Sequence, residues 1–138
     1  LGDEIKQKMD NGDLIEDTIV ISVLKEKVET LKNEQILIDG FPRSSVQAIA
    51  LKDIFYEDDI NVINFTVSDQ ELLQRIKKRS QEESRADDSV FEKRLGIYKQ
   101  SHAEIINSLS QFYEVIDIDA NNEISHISQK IVEKLGLN

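Results

Sequence analysis

Residues 36–43 combine the side chains that a phosphate-binding edge of a protein needs. An apolar run at 36–38 predicts a short buried strand, which leads directly into Asp-Gly-Phe-Pro-Arg at 39–43. Ligands of open α/β sheets bind at the carboxyl ends of strands. There Asp39 can hold Mg²⁺ through water, Arg43 offers a planar charged fork for a phosphate, and Gly40 lets the backbone approach a ligand closely. The alternative is that Asp-Gly and Phe-Pro simply form a turn.

Four arginines further along the chain can supply the positive charge that phosphoryl transfer requires. Arg75 and Arg79 are four residues apart on a predicted helix and therefore share a face. Arg85 falls in the loop that follows, and Arg94 falls on the next predicted helix. Phosphoryl transfer depends on positioning and electrostatic stabilisation more than on covalent chemistry. The ordered set points to such a site, although a surface ion pair is the simpler explanation of any single arginine.

The charge distribution favours a small anionic ligand over a nucleic acid polymer. The 138 residues carry a net charge of −10, which repels a polyanion overall. Residues 75–99, however, hold eight basic and five acidic side chains and are therefore net positive. A basic segment on an acidic body suits a small, multiply charged anion. A solvated helix face with mixed charges is the simpler alternative on composition alone.

Composition argues against several other classes of protein. The absence of cysteine excludes disulfides and thiolate metal sites, and the two histidines, His102 and His126, are too few for a typical zinc site. No apolar run approaches the roughly 18 residues of a membrane span, and no signal-peptide pattern opens the sequence. We therefore expect a cytoplasmic protein without a membrane partner. Because the first residue is Leu1 rather than Met, we also expect a piece of a longer chain.

Hydrophobic periodicity predicts strands that alternate with helices. The strands are predicted at 36–38, 62–67 and 113–118, and the helices at about 17–31, 45–55, 68–78, 88–109 and 124–135. Asp17 is the expected N-cap of its helix, Ser68 and Glu71 form a capping box, and the polar stretch 80–84 is predicted as a loop. The alternation implies βαβ units and a parallel sheet in an α/β fold, with each strand buried.

Several segments taken together resemble the adenylate kinases and their nucleoside-monophosphate kinase relatives. The turn at 39–43, with Gln47 four residues beyond it, is similar to the family's nucleotide-binding turn, and 9–17 is similar to its AMP-base contact. Residues 75–98 resemble the lid region in its short form, and the segment from 118 to 121, followed by a helix, also fits. The resemblance covers essentially the whole chain. It implies a P-loop NTPase-like parallel sheet flanked by helices, in a cytoplasmic monomer that transfers the γ-phosphoryl group of MgATP to AMP.

The resemblance also implies a role for each matching residue. The AMP-binding residues would be Leu14, Ile15, Gly40, Arg43, Gln47, Arg85 and Arg94. The catalytic residues would be Arg43, Arg79, Arg85, Arg94, Asp87 and Asp88. The ATP-binding residues would be Arg75, Arg79 and Asn122, and Asp39 would orient the hydrated Mg²⁺. In this assignment Leu14 and Ile15 line the adenine pocket, and Gln47 hydrogen-bonds the base.

The organisation implied by the resemblance is one nucleoside-monophosphate kinase domain over 1–138, incomplete on its N-terminal side. About 1–32 would belong to the AMP-binding region, and about 79–88 to the short lid. Glu16 replaces the family's usual proline, and Ser80 replaces a common glycine. A larger departure is that the family's Gly-x-x-Gly-x-Gly-Lys loop, with the first, central strand before it, is absent from these 138 residues. That loop is the backbone cradle of the donor phosphates.

Two alternatives to an adenylate kinase remain open at this point. The missing loop motivates a truncated, non-catalytic homologue that binds nucleotide or assembles with a partner. The second alternative is a UMP/CMP kinase, whose members resemble the chain at 39–43 but usually carry Asn where Gln47 stands. A glutamine amide can pair one donor and one acceptor with the adenine edge, which favours AMP.

Overall fold

The computed structural model describes residues 3, 6–7, 16–31, 34–55, 60–82 and 88–137. Their elements, in chain order, are α1 Asp17–Thr30, α2 Ser45–Ile54, β1 Val62–Thr66, α3 Asp69–Glu82, α4 Asp88–Ser110, β2 Val115–Asp119 and α5 Ile124–Leu135. The chain divides into two compact units, Leu1–Asp58 and Asp59–Asn138. Within the described ranges, no helix is both long enough and apolar enough to cross a membrane.

The first unit is built on the pairing of α1 with α2. These helices contact each other, and Ala48 and Leu51 of α2 are buried. The α2 helix begins after Ser44, whose Oγ accepts a hydrogen bond from the Gln47 backbone N–H at 3.1 Å. A side-chain oxygen in this position satisfies one of the backbone donors that every helix leaves unpaired at its start. The predicted helix at 45–55 is therefore confirmed to within one residue.

Two predictions for the first unit are wrong. Asp17 is not the N-cap of α1, because Glu16 has the extended backbone of the cap position and Asp17 is already helical. The predicted strand at 36–38 is absent. Residues 35–39 have no regular secondary structure. A strand requires a hydrogen-bonded neighbour, and no described strand pairs with this segment. The predicted burial of this segment is also wrong for Leu37, which is 91% exposed.

The second unit contains a parallel pair of strands flanked by helices. β1 pairs with β2 in parallel, from Val62 opposite Val115 to Thr66 opposite Asp119. Parallel neighbours cannot be joined by a tight turn and need a long crossover, which α3 and α4 supply. Among the described residues of this unit, the buried apolar side chains are Leu95, Leu109, Ile118 and Ala120. The predicted parallel arrangement of helices and strands is confirmed for this part of the chain.

The helix boundaries of the second unit follow capping and propensity. Ser68 Oγ accepts from the Glu71 N–H at 3.3 Å, as the capping box predicts. The return half of that box is not formed, because the Glu71 carboxylate binds Arg75 instead. The predicted loop at 80–84 is wrong for residues 80–82, where α3 continues to Glu82. Gln and Glu are good helix formers, so a polar sequence alone does not end a helix.

Burial in the second unit is shallower than the sequence predicts for β1. Val62 to Asn64 are half-buried, whereas Phe65 is 48% exposed, so this strand is not covered on both faces within the described residues. β2 meets the expectation better, because Ile118 is 2% exposed. α4 and α5 both contact β2, and this contact explains why the apolar side chains of β2 are better enclosed.

Replacing Tyr113 by phenylalanine is expected to leave stability unchanged or to raise the free energy of unfolding by about 1 kcal/mol. The Tyr113 hydroxyl is enclosed and has no hydrogen-bond partner among the described residues. Burial raises the pKa of Tyr113 above its ordinary value of 10.0. The unfolded chain therefore ionises first, and stability should fall as pH rises above about 10. Urea unfolding at pH 8 and pH 10.5 tests both points. A variant less stable than wild type at pH 8 would contradict the first.

Candidate functional site

The Asp-Gly-Phe-Pro-Arg segment forms a turn that is closed by its own arginine. Gly40 has φ +81° and the Phe41–Pro42 peptide bond is cis. The Arg43 side chain folds back so that its Nε donates to the Gly40 carbonyl oxygen at 2.8 Å. Arg43 is an exposed residue, so its guanidinium is accessible to solvent. The turn therefore presents a guanidinium whose plane is held by the backbone.

Gln47 is a buried polar residue of the first unit. It is 6% exposed. Its Oε1 accepts from the Arg43 backbone N–H at 2.7 Å, and its Nε2 donates to Asp17 Oδ1 at 2.8 Å. The other Asp17 oxygen, Oδ2, accepts from Ser44 Oγ at 3.1 Å. The amide predicted to read a base is thus connected directly to the residue predicted to bind a phosphate.

In the second unit, Arg75 joins α3 to the carboxyl end of β2. Its Nε donates to Glu71 Oε1 at 2.8 Å, and its Nη2 donates to the Ala120 carbonyl oxygen at 2.6 Å. Asn122, two residues beyond Ala120, is exposed. The structure therefore places Arg75 against Ala120, two residues before Asn122, and the ATP contacts of Arg75 and Asn122 stay predictions.

Asn121 connects the ends of the two strands. Its Oδ1 accepts from the Ser68 N–H at 2.9 Å, just before α3. The backbone N–H of Asn121 donates to Asp119 Oδ1 at 2.9 Å, and its side-chain Nδ2 donates to the same oxygen at 2.8 Å. The backbone bond first and the side-chain bond second lower the pKa of Asp119 below its ordinary value, because both favour the ionised carboxylate. The carboxyl edge of this sheet is therefore ordered by polar contacts.

Comparison with known proteins places the chain in a family. The family model described as adenylate kinase matches residues 1–116. An adenylate kinase of Maricaulis maris is 34% identical over an alignment that covers 98% of this chain and 75% of the relative. An adenylate kinase of Xylella fastidiosa is 34% identical, with coverage of 99% and 76%. A Synechococcus adenylate kinase is 36% identical, with coverage of 83% and 60%.

The chain belongs to the adenylate kinase family. The resemblance drawn from the sequence is thereby confirmed, and the relatives support a nucleotide kinase role. The parallel strands flanked by helices are consistent with an adenylate kinase fold. The identities of 34–36% between this chain and these three relatives show the family. They do not assign a role to any single residue.

The arginines predicted to bind phosphates or nucleotides lie in both units of the chain. Arg43 lies in the first unit, and Arg75, Arg79 and Arg94 lie in the second, on α3 and α4. All four are exposed residues. Leu14, Ile15, Arg85 and Asp87 lie outside the described residues, as does the side chain of Asp88, the residue at which α4 begins. The roles of these residues stay predictions.

Asp39 is the residue proposed for magnesium. Its carboxylate is exposed, and the described residues contain no group of three or more histidines and acids that could enclose a metal ion. Magnesium keeps several waters and is commonly held by one or two carboxylates together with substrate phosphates. A single exposed carboxylate at this turn therefore fits an ion that arrives with its phosphate ligands and is contacted through water.

Asp17, Ser44 and Asn121 belong to these networks and were not predicted as site residues. One signal was available for Ser44, because Ser44 and Gln47 have the spacing of a capping box. In the structure the Gln47 side chain bonds the Arg43 N–H rather than that of Ser44. Asp17 is 30 residues from Gln47 and Asn121 is 53 from Ser68, and no local pattern indicates contacts at such separations.

A further polar row crosses the parallel strands. Asn64 of β1 donates from Nδ2 to Asp117 Oδ1 of β2 at 2.8 Å. Asn64 Oδ1 lies 2.8 Å from His102 Nε2, and the His102 ring stacks on Tyr98 at a centroid distance of 5.5 Å. This row links both strands to α4 through side chains alone.

Proposed function

We propose that the protein carrying these residues transfers the γ-phosphoryl group of ATP to AMP and forms two molecules of ADP. The observation that supports this reaction best is the 2.7 Å hydrogen bond from the Arg43 N–H to Gln47 Oε1. It ties the backbone of the proposed phosphate-binding residue to the amide that we propose reads the base. The two residues therefore keep a fixed separation, which supports recognition of a nucleoside monophosphate. Membership of the adenylate kinase family supports the same reaction.

In this proposal the arginines bind the transferring and accepting phosphates. The bond between the γ-phosphorus and its bridging oxygen breaks while a bond to an AMP phosphate oxygen forms, so negative charge shifts towards the ADP leaving group. Arg43 and Arg94 hold the AMP phosphate, Arg85 bridges the two nucleotides, and Arg79 contacts the ATP phosphates. Guanidinium groups can stabilise this charge through paired N–H donors.

The adenine of ATP is assigned to the edge formed by α3 and the end of β2. Arg75 is held there by Glu71 and the Ala120 carbonyl oxygen, so its guanidinium plane is preset for stacking on a base. The backbone around Asn122 supplies polar contacts to the same base. Gly40, Leu14 and Ile15 complete the AMP side, and Asp87 and Asp88 steady a short lid at about 79–88.

Members of the adenylate kinase family use ATP with Mg²⁺, which supplies charge neutralisation of the phosphates when it is bound. Asp39 would hold one of the waters of that ion. The remaining chemistry belongs to the protein side chains: orientation by Arg43 and Gln47, charge stabilisation by the other arginines, and exclusion of water when the lid closes.

A coupled assay of ADP formation by the full-length protein tests this proposal. AMP, CMP and UMP should be compared as acceptors with MgATP as donor, and AMP is expected to be the preferred acceptor. Preference for CMP or UMP would favour the UMP/CMP kinase alternative. Binding of AMP by calorimetry without any transfer would favour a non-catalytic homologue, and either result would contradict the proposed reaction.

A further inference from the structure

The Gln47 amide is held by two partners of opposite hydrogen-bonding character. Its Nε2 donates to the Asp17 carboxylate at 2.8 Å, and its Oε1 accepts from the Arg43 backbone N–H at 2.7 Å. An ionised carboxylate can only accept hydrogen bonds, and a backbone N–H can only donate. The two partners therefore permit one orientation of the amide. A flipped amide would place Oε1 of Gln47 against the Asp17 carboxylate and the Gln47 NH₂ group against the Arg43 backbone N–H.

Asp17 is itself fixed by the helix that carries Gln47. Ser44 Oγ donates to Asp17 Oδ2 at 3.1 Å and accepts from the Gln47 backbone N–H at 3.1 Å. Asp17, Ser44 and Gln47 thus form a closed hydrogen-bonded set that joins the start of α1 to the start of α2. Gln47 is 6% exposed, so water competes weakly with these bonds, and a flip would leave buried groups unpaired at substantial cost.

Two of the four hydrogen-bonding positions of the amide are taken by these described partners. One N–H of Nε2 and one acceptor position of Oε1 remain, and their placement is set by the orientation of the amide. A 6-aminopurine offers a donor at its exocyclic N6 and an acceptor at N1. A 6-oxopurine offers the reverse, an acceptor at O6 and a donor at N1. An amide that cannot flip can match only one of them when the rest of the nucleotide fixes the base.

We propose that Asp17 is a positioning residue that selects 6-aminopurine over 6-oxopurine monophosphates by fixing the orientation of the Gln47 amide. This inference rests on the proposed function, because it takes Gln47 as the contact to the acceptor base. Asp17 does not touch the nucleotide and acts through Gln47. Sites that hydrogen-bond a substrate group discriminate strongly when the wrong partner leaves their own groups unpaired, so rigidity of the amide translates into selectivity.

The test compares AMP with IMP, which differ at position 6 and in the proton at N1. Dissociation constants are measured by calorimetry for the full-length protein and for the variants Asp17→Ala and Asp17→Asn. We expect Asp17→Ala to reduce the preference for AMP over IMP about tenfold, the equivalent of one ordinary hydrogen bond. Asp17→Asn should retain most of the preference, because its carbonyl oxygen can still accept from Gln47 Nε2. Asp53→Ala, which removes an exposed carboxylate on α2, is the control.

A second measurement reports on the amide without nucleotide. The side-chain NH₂ signals of Gln47 in ¹H–¹⁵N spectra can be assigned because they disappear in Gln47→Glu. In the wild type, the hydrogens of this NH₂ group should exchange slowly with water. They should exchange faster in Asp17→Ala and stay slow in Asp17→Asn. Equal losses of AMP and IMP affinity in Asp17→Ala, or unchanged exchange, would show a merely structural role and overturn the inference. A wild-type protein with no preference for AMP over IMP would instead overturn the proposed function, and with it this inference.

Discussion

Replacement of Arg43 by alanine is expected to lower kcat/KM for phosphoryl transfer to AMP by about 10²–10³-fold, the cost of removing one preorganised charge-stabilising donor group. The Nε–H of Arg43 is bound to the Gly40 carbonyl oxygen at 2.8 Å. This bond uses only the Nε–H, so the four N–H groups on the two Nη atoms can serve a phosphate. Initial rates in the coupled assay, at varied AMP and saturating MgATP, measure the loss.

Two further variants separate charge from geometry at this position. Arg43→Lys keeps the positive charge but cannot bond the Gly40 carbonyl oxygen and a phosphate with one planar group, so its rate should fall nearly as far. Lys25→Ala, which removes an exposed cation from α1 in the same unit, should leave the rate unchanged. Because Arg43 is exposed, its variants should unfold within about 0.5 kcal/mol of wild type. An Arg43→Ala protein with wild-type kcat/KM would contradict the assignment.

Gly40→Ala is expected to reduce the free energy of unfolding by about 1–2 kcal/mol and to impair transfer to AMP. Gly40 has φ +81°, a left-handed backbone conformation that costs an alanine energy. A Cβ at this position would also lie 3.2 Å from Arg43 Nη2, which is a tight contact, so the guanidinium must move by a few tenths of an ångström. Urea unfolding and the coupled assay measure the two effects on the same protein.

Gly96 provides a matched control for Gly40. It lies inside α4, and a Cβ added there would meet no atom within 4 Å. Gly96→Ala should therefore raise the free energy of unfolding by about 0.5–1 kcal/mol, since glycine loses more backbone entropy in a helix than alanine does. A Gly40→Ala protein as stable and as active as wild type would show that the turn does not need its left-handed residue.

The sequence predicted well those elements whose boundaries are set by neighbouring residues. Gly136 ends α5 in the left-handed conformation, as expected of a glycine in this position, and Ser68 caps α3. The segment at 36–38 failed because a strand is defined by its partner, which the local sequence does not specify. The course of α3 through residues 80–82 was missed because charged and amide side chains are compatible with helix as well as loop.

For the candidate site too, residues that are close in sequence could be named in advance, whereas contacts between distant residues could not. Arg43, Gln47 and Gly40 could be named from the sequence as candidates, because they lie within eight residues and their chemical types and spacing are visible there; their roles stay predictions. The sequence predicts Asp17 only as a helix cap, whereas its carboxylate accepts hydrogen bonds from Ser44 and Gln47. That role depends on how α1 packs against α2, and packing between distant segments is decided by the fold as a whole. Asn121 is a second example, since its link to Ser68 spans 53 residues.

The polar row across the strands makes His102 a reporter of strand alignment. Asn64 and Asp117 face each other in the parallel pairing, and the Asn64 NH₂ is committed to Asp117. Asn64 therefore offers His102 an oxygen acceptor, so the neutral imidazole must carry its proton on Nε2. A shift of one residue between the strands would turn these side chains to opposite faces and remove that constraint. The imidazole tautomer, read from ¹⁵N chemical shifts, consequently distinguishes a correctly aligned sheet from a slipped one.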